Sequence, residues 1–182
     1  MDVTFELNGA SRTFNCAPHE TLLALLRREG MVSVRFGSTS GETGASAVLI
    51  DGRLASSEVV LAAQADGHSI TTVESLNTDS DLHPIQAAFA ATGAMQSGYS
   101  ASAMVLGTLA LLDRDPNPDE DEIRDMLSGI LDRETAYVKP VAAVQQAAAV
   151  LRGEQAEPFR PLMVEPMTDG INPAVHDPQD DP

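Results

Sequence analysis

Over residues 2–8 apolar and polar side chains alternate, with Val3, Phe5 and Leu7 on one face, and the alternation resumes from Arg12 to Cys16. A period of two marks a half-buried strand, and Asn8-Gly9 between the two runs suits a type I′ turn, so the pattern predicts a β-hairpin. After Pro18 the string ETLLALLRREG puts Leu22, Leu25 and Leu26 on one helical face and ends at Gly30. That predicts a short amphipathic helix with a glycine stop. A glycine-rich loop, FGSTSGETGAS, leads into an apolar strand over 46–50 and an Asp51-Gly52 turn. A short strand or coil, a helical patch near 59–64 and a strand over 69–73 complete this half. Hairpin, helix, then further strands is β-grasp order, the ferredoxin-like arrangement.

From Asp81 the pattern turns to Ala-rich helix. His83-Pro84 opens one helix through about Thr92, Ser100 to Leu112 predicts a second, Asp119 to Leu131 a third and Val141 to Leu151 a fourth. Short loops join them, which predicts a small four-helix bundle. Residues 154–182 hold acids, little periodicity and six of the eleven prolines, so they read as an extended tail. The fold expected is α+β, with a β-grasp domain over 1–78, the bundle over 79–153 and the tail over 154–182.

Composition narrows the partners. The 182 residues include 27 acidic against 11 basic ones, a formal charge of -16, and Lys139 is the only lysine. Such a chain has no electrostatic footprint for nucleic acid. No apolar run approaches the roughly 20 residues that cross a bilayer, and the alternating N-terminus is not a signal peptide. No membrane association and a cytoplasmic location are therefore expected. Cys16 is the single cysteine, so no disulfide and no thiolate cluster arises within the chain.

Catalytic signals are absent. The loop lacks the lysine of a phosphate-binding G-x-x-x-x-G-K-[ST] string, no G-x-S-x-G elbow occurs, and His19, His68, His83 and His176 are scattered. No catalytic residue and no metal ligand set is expected.

Three strings, in order, carry a resemblance. Gly37, Gly41, Gly44, Ala45, Val48, Leu49, Asp51 and Gly52 fall on G-C-x-x-G-x-C-G-A-C-T-V-L-x-D-G. LHPIQAAFAATGAMQSGYSASAM is similar to L-H-P-x-Q-x-A-F followed by Q-C-G-F-C-T-P-G-M, and NPDEDEIRDMLSGILDRETAY to P-x-x-x-E-I-R-x-x-L-x-G-N-L-C-R-C-T-G-Y. Over most of residues 1–152 the chain thus resembles the small iron-sulfur subunit of the molybdenum hydroxylases, the xanthine dehydrogenase and carbon monoxide dehydrogenase family. Every cysteine of those patterns is replaced. Ser38, Thr43, Ser46 and Glu58 stand at the first-cluster positions, and Ser97, Ser100, Asp132 and Glu134 at the second.

A 2Fe-2S centre of this kind needs four soft thiolates, which neutral hydroxyls and hard carboxylates do not replace. The expectation is that this chain binds no cofactor. Donors left by a missing cluster need acceptors, so Glu58 or the hydroxyls of Ser38, Thr43 and Ser46 are expected to fill the first space, and Asp132 or Glu134 to accept from the turn at 97–100. The resemblance implies a large molybdopterin-binding partner and, in some complexes, a flavin subunit. It also implies that Gln96 and Gly98 lie against the partner's molybdopterin, the bland alternative being that Gln96 bonds to nearby backbone. The function expected is a non-catalytic, cluster-free small subunit that supports the large one without electron relay. An assembly or regulatory module for a molybdoenzyme is the alternative, and an electron-transfer subunit with unusual ligation a third.

Overall fold

The computed structural model describes residues 1–76 and 81–155. Strands β1 (Asp2–Leu7) and β2 (Ala10–Asn15) pair antiparallel about Asn8 and Gly9, whose φ angles of 51° and 81° are those of a type I′ turn. Val3, Phe5 and Leu7 are buried on one face of β1, and the Phe5 and Phe14 rings lie 4.7 Å apart. Helix α1 (Leu22–Arg28) starts at Thr21, whose hydroxyl accepts from Ala24 N at 3.2 Å, and it buries Leu22, Leu23, Leu25 and Leu26. Cys16 lies just past β2, buried in this core.

Asp51 and Gly52, with φ of 49° and 76°, make a second turn of the same kind between β3 (Ala47–Ile50) and β4 (Arg53–Ser56). The expected helical patch is a single 3₁₀ turn at Ala62–Ala65, and β5 (Ser69–Thr71) follows it. One mixed sheet results, in the order β2-β1-β5-β3-β4, with β1 and β5 parallel.

Helices α2 (Pro84–Ala91), α3 (Ala101–Arg114), α4 (Glu120–Ser128) and α5 (Val138–Leu151) gather round a second core that includes Ile85, Phe89, Met104, Ile123, Leu127 and Val144. The α2 start is capped by His83, whose Nδ1 accepts from Ile85 N at 3.3 Å; burial pushes this imidazole below its ordinary pKa, in keeping with an acceptor nitrogen. Asp119 and Glu122 form a reciprocal capping box at α4. Helix α5 begins three residues before the expected Val141, because Pro140 sits in its first turn, where no N–H partner is required.

The two halves are packed together. Ala47 and Leu76 from the first half belong to the helical core, and α3 lies against β3 and β4. The expected boundary at 78/79 and residues 156–182 of the expected tail lie outside the described residues. Among the described residues no helix is long and apolar enough to cross a membrane.

Candidate functional site

The loop between α1 and β3 folds onto itself at its glycines. A Cβ on Gly37 would fall 2.0 Å from Thr43 Oγ1, so the Thr43 hydroxyl packs in the space a side chain at 37 would take. Glu58, carried in just beyond β4, is only 6% exposed and reaches across the loop. Its Oε2 accepts from Gly37 N and Ser38 N, both at 3.3 Å, and its Oε1 lies 3.0 Å from Ser38 Oγ. Ser38 Oγ is also 2.8 Å from Glu42 Oε2, so its one proton serves either carboxylate, while its lone pair accepts from Gly41 N at 3.0 Å. Thr43 Oγ1 accepts from Ala45 N at 3.3 Å, and the buried Ser46 Oγ accepts from Glu58 N at 3.4 Å. Hydrogen bonding from the Ser40 hydroxyl, then from the residue's own N–H and from Ser38, holds the exposed Glu42 carboxyl below the usual range.

The second cluster of polar groups centres on Asp132, in the turn between α4 and α5. Its Oδ1 accepts from the buried Ser100 hydroxyl at 2.7 Å, and its Oδ2 from Thr135 N at 3.0 Å and from the Thr135 hydroxyl. Burial opposes ionisation of this carboxyl, but the hydrogen bonds from Thr135 and Ser100 outweigh it and set its pKa below the usual aspartate value. Tyr137 staples the same turn: its hydroxyl accepts from Asp132 N and donates to Ile130 O, both at 2.9 Å. Glu134 is exposed and makes no side-chain hydrogen bond among the described residues, so of the two acids considered for this turn only Asp132 is used. Glu42, Thr135 and Tyr137 were not legible as partners; of these, only the Thr135-Ala136-Tyr137 string carried a signal.

Ala136 and Tyr137 both have positive φ, 47° and 61°. A Cβ is disfavoured there by about 1 kcal/mol per residue. Ala136→Gly is therefore expected to stabilise the chain by about 0.5–1 kcal/mol in urea denaturation. An unchanged or lower midpoint would show that the turn is not strained at this residue.

The two loops touch. Leu131 N donates to Thr43 O at 2.9 Å, and Gly44, with φ of 68°, lies so close to Gly129 that a Cβ there would be 2.1 Å from Gly129 O. Ser97 Oγ accepts from Tyr99 N at 3.2 Å, in the turn before α3. Gln96 is exposed and its amide donates to Gly93 O at 2.9 Å, the local bond of the bland alternative; Gly98 is exposed beside it. Thus Ser38, Thr43, Ser46 and Glu58 come together, Ser100 meets Asp132, and Gln96, Gly98 and Glu134 face outward.

Comparison with known proteins bears on what such loops hold. Residues 72–145 match the model of the [2Fe-2S] binding domain family. The chain is 39% identical over 148 residues to the nicotinate dehydrogenase small FeS subunit of Eubacterium barkeri, covering 81% of this chain and 94% of that one. It is 37% identical over 148 residues to the nicotine 6-hydroxylase small subunit of Paenarthrobacter nicotinovorans, covering 81% and 89%. Quinoline 2-oxidoreductase from Pseudomonas putida 86 has a chain that superposes with a TM-score of 0.79 at 34% identity, covering 85% of this chain and 98% of that one.

These findings overturn the expectation that no cofactor belongs to this chain: a match to a [2Fe-2S] binding domain, and relatives named as FeS subunits, indicate an iron-sulfur cluster as the cofactor of a chain of this kind. The side chains at the two loops do not fit the thiolate-held form of that group. They are hydroxyls and carboxylates already engaged with one another or with backbone, Glu134 apart, and Cys16 is buried in the sheet core. The relatives' naming as small subunits accords with the expectation of a larger partner. By the extent and level of these similarities, the chain belongs to the small iron-sulfur subunit family of the molybdenum hydroxylases.

Proposed function

We propose that this chain is a non-catalytic small subunit of a xanthine dehydrogenase-type molybdopterin oxidoreductase complex, supporting the large subunit and taking no part in electron relay. The observation that carries the reading is the state of the two loops, in which Glu58 and Asp132 accept hydrogen bonds at positions where the family resemblance places thiolates. A relay needs redox centres, and oxygen donors committed to backbone and hydroxyl protons do not assemble a thiolate cluster. Phe36, Val59, Tyr99 and Leu131, all more than half exposed, lie in or beside these loops and offer apolar surface to the large subunit. In this reading Gln96 and Gly98, on the exposed turn before α3, meet the partner's molybdopterin, as the family resemblance implies. Residues 1–78 and 79–153 act as two domains in this arrangement.

Isolation from the native source tests this. The chain is expected to co-purify with a large molybdopterin-binding chain, and substrate reduction of that complex is expected to give no 2Fe-2S EPR signals from the small subunit. Two such signals per small subunit would overturn the reading. A stable free monomer with no large partner would favour the assembly module instead.

A further inference from the structure

We infer that Glu58 is the built-in occupant of a backbone N–H cradle that the first loop still forms, so that one side chain does the structural work of an external ligand. Five backbone N–H groups, those of Gly37, Ser38, Gly41, Ala45 and Glu58, point at side-chain oxygens of Glu58, Ser38, Thr43 and Ser46. Of these four positions, Ser38, Thr43 and Ser46 keep the x4 and x2 spacing of a plant-type 2Fe-2S loop. Successive N–H groups turned inward make a concavity that favours negative charge.

Glu58 meets that need from 20 and 21 residues away along the chain. No cation pairs with its carboxylate among the described residues, and it is almost fully buried. A buried carboxylate without a counter-ion persists only where hydrogen-bond donors replace water, and here those donors are the cradle. Each side of the arrangement thus explains the other: the loop supplies donors with no other acceptor, and the carboxylate has no other compensation. The inference rests on the reading of this chain as a subunit outside the electron relay.

The test uses the full-length chain with Glu58→Gln and Glu58→Ala. In the wild type the Gly37 and Ser38 amides are expected to be protected from hydrogen exchange, with or without a strong iron chelator. Both variants are expected to exchange there about tenfold faster, the worth of roughly one net hydrogen bond. Sodium formate, compared with chloride at equal ionic strength, is expected to raise the melting temperature of Glu58→Ala and leave the wild type unmoved. Unchanged exchange at Gly37 and Ser38 in both variants would overturn the inference. Should Glu58→Ala not fold, Glu58→Gln carries the exchange measurement alone. Wild-type protection that collapses on chelation would instead sink the reading beneath it, because iron would then be what holds the loop.

Discussion

Gly44→Ala is expected to cost about 3 kcal/mol or more. A Cβ at φ of +68° is itself disfavoured by about 1 kcal/mol. The larger part is steric: the new methyl would sit 2.1 Å from Gly129 O and 3.0 Å from Ile130 Cα. These are backbone atoms, which cannot rotate aside as a side chain does, so relief means separating the two loops at a further cost of about 1–3 kcal/mol. Separation also breaks the bond from Leu131 N to Thr43 O. Gly52→Ala is the control, since Gly52 has φ of 76° but nothing within 4 Å of an added Cβ. Its cost is expected to be only the conformational part, about 1 kcal/mol. Urea midpoints of the two variants decide the matter, and equal losses would show that the contact with Gly129 yields without strain.

Asp132→Ala is expected to destabilise the chain by about 2–4 kcal/mol. It strips the acceptor from three donors at once, the Ser100 hydroxyl and both the N–H and hydroxyl of Thr135. Ser100 is 4% and Thr135 9% exposed, so water reaches these groups poorly, and a buried donor left alone costs about 1–3 kcal/mol. Asp132→Asn keeps the shape and separates charge from packing. The folded carboxyl titrates below the unfolded one, so the folded state binds this proton less tightly. Its contribution is complete above the ordinary aspartate value of about 4 and fades as the pH falls through the lower folded value. In the Asp132→Asn variant that part of the acid limb is expected to vanish. The part belonging to Glu74 is expected to remain, since hydrogen bonds from Ser33 outweigh burial there and also lower its pKa. Stability measured from about pH 6 down to about pH 2 tests this, and identical acid limbs for wild type and Asp132→Asn would refute it.

What the sequence disclosed follows from which interactions are local. Asn8-Gly9 and Asp51-Gly52 announce their turns because positive φ at both central positions selects those residue pairs, and both turns are present. Strand β4 stayed ambiguous because Arg53, Leu54, Ala55 and Ser56 show no alternation, their burial running from exposed to half-buried along the strand. Helix α5 starts before Pro140, at residues that the apolar pattern beginning at Val141 does not reach. At the loops, the residue types said that acceptors were present, but not which acid would be chosen: Glu134 and Asp132 differ by two positions, and only the path of the turn brings one to Ser100. The seam between the loops left no trace at all on the residue pattern, since the bond from Leu131 to Thr43 is backbone to backbone, and glycine at 44 reads as one more turn residue.

The parallel pairing of β1 with β5 has a kinetic consequence. Each hairpin joins neighbours along the chain and can form within microseconds, whereas Glu6 pairs with Ser69 across some sixty residues, a slow search that closes last. The glycine-rich loop and Glu58 both travel inside the segment that this final pairing closes. The acceptor therefore arrives with the loop it fills.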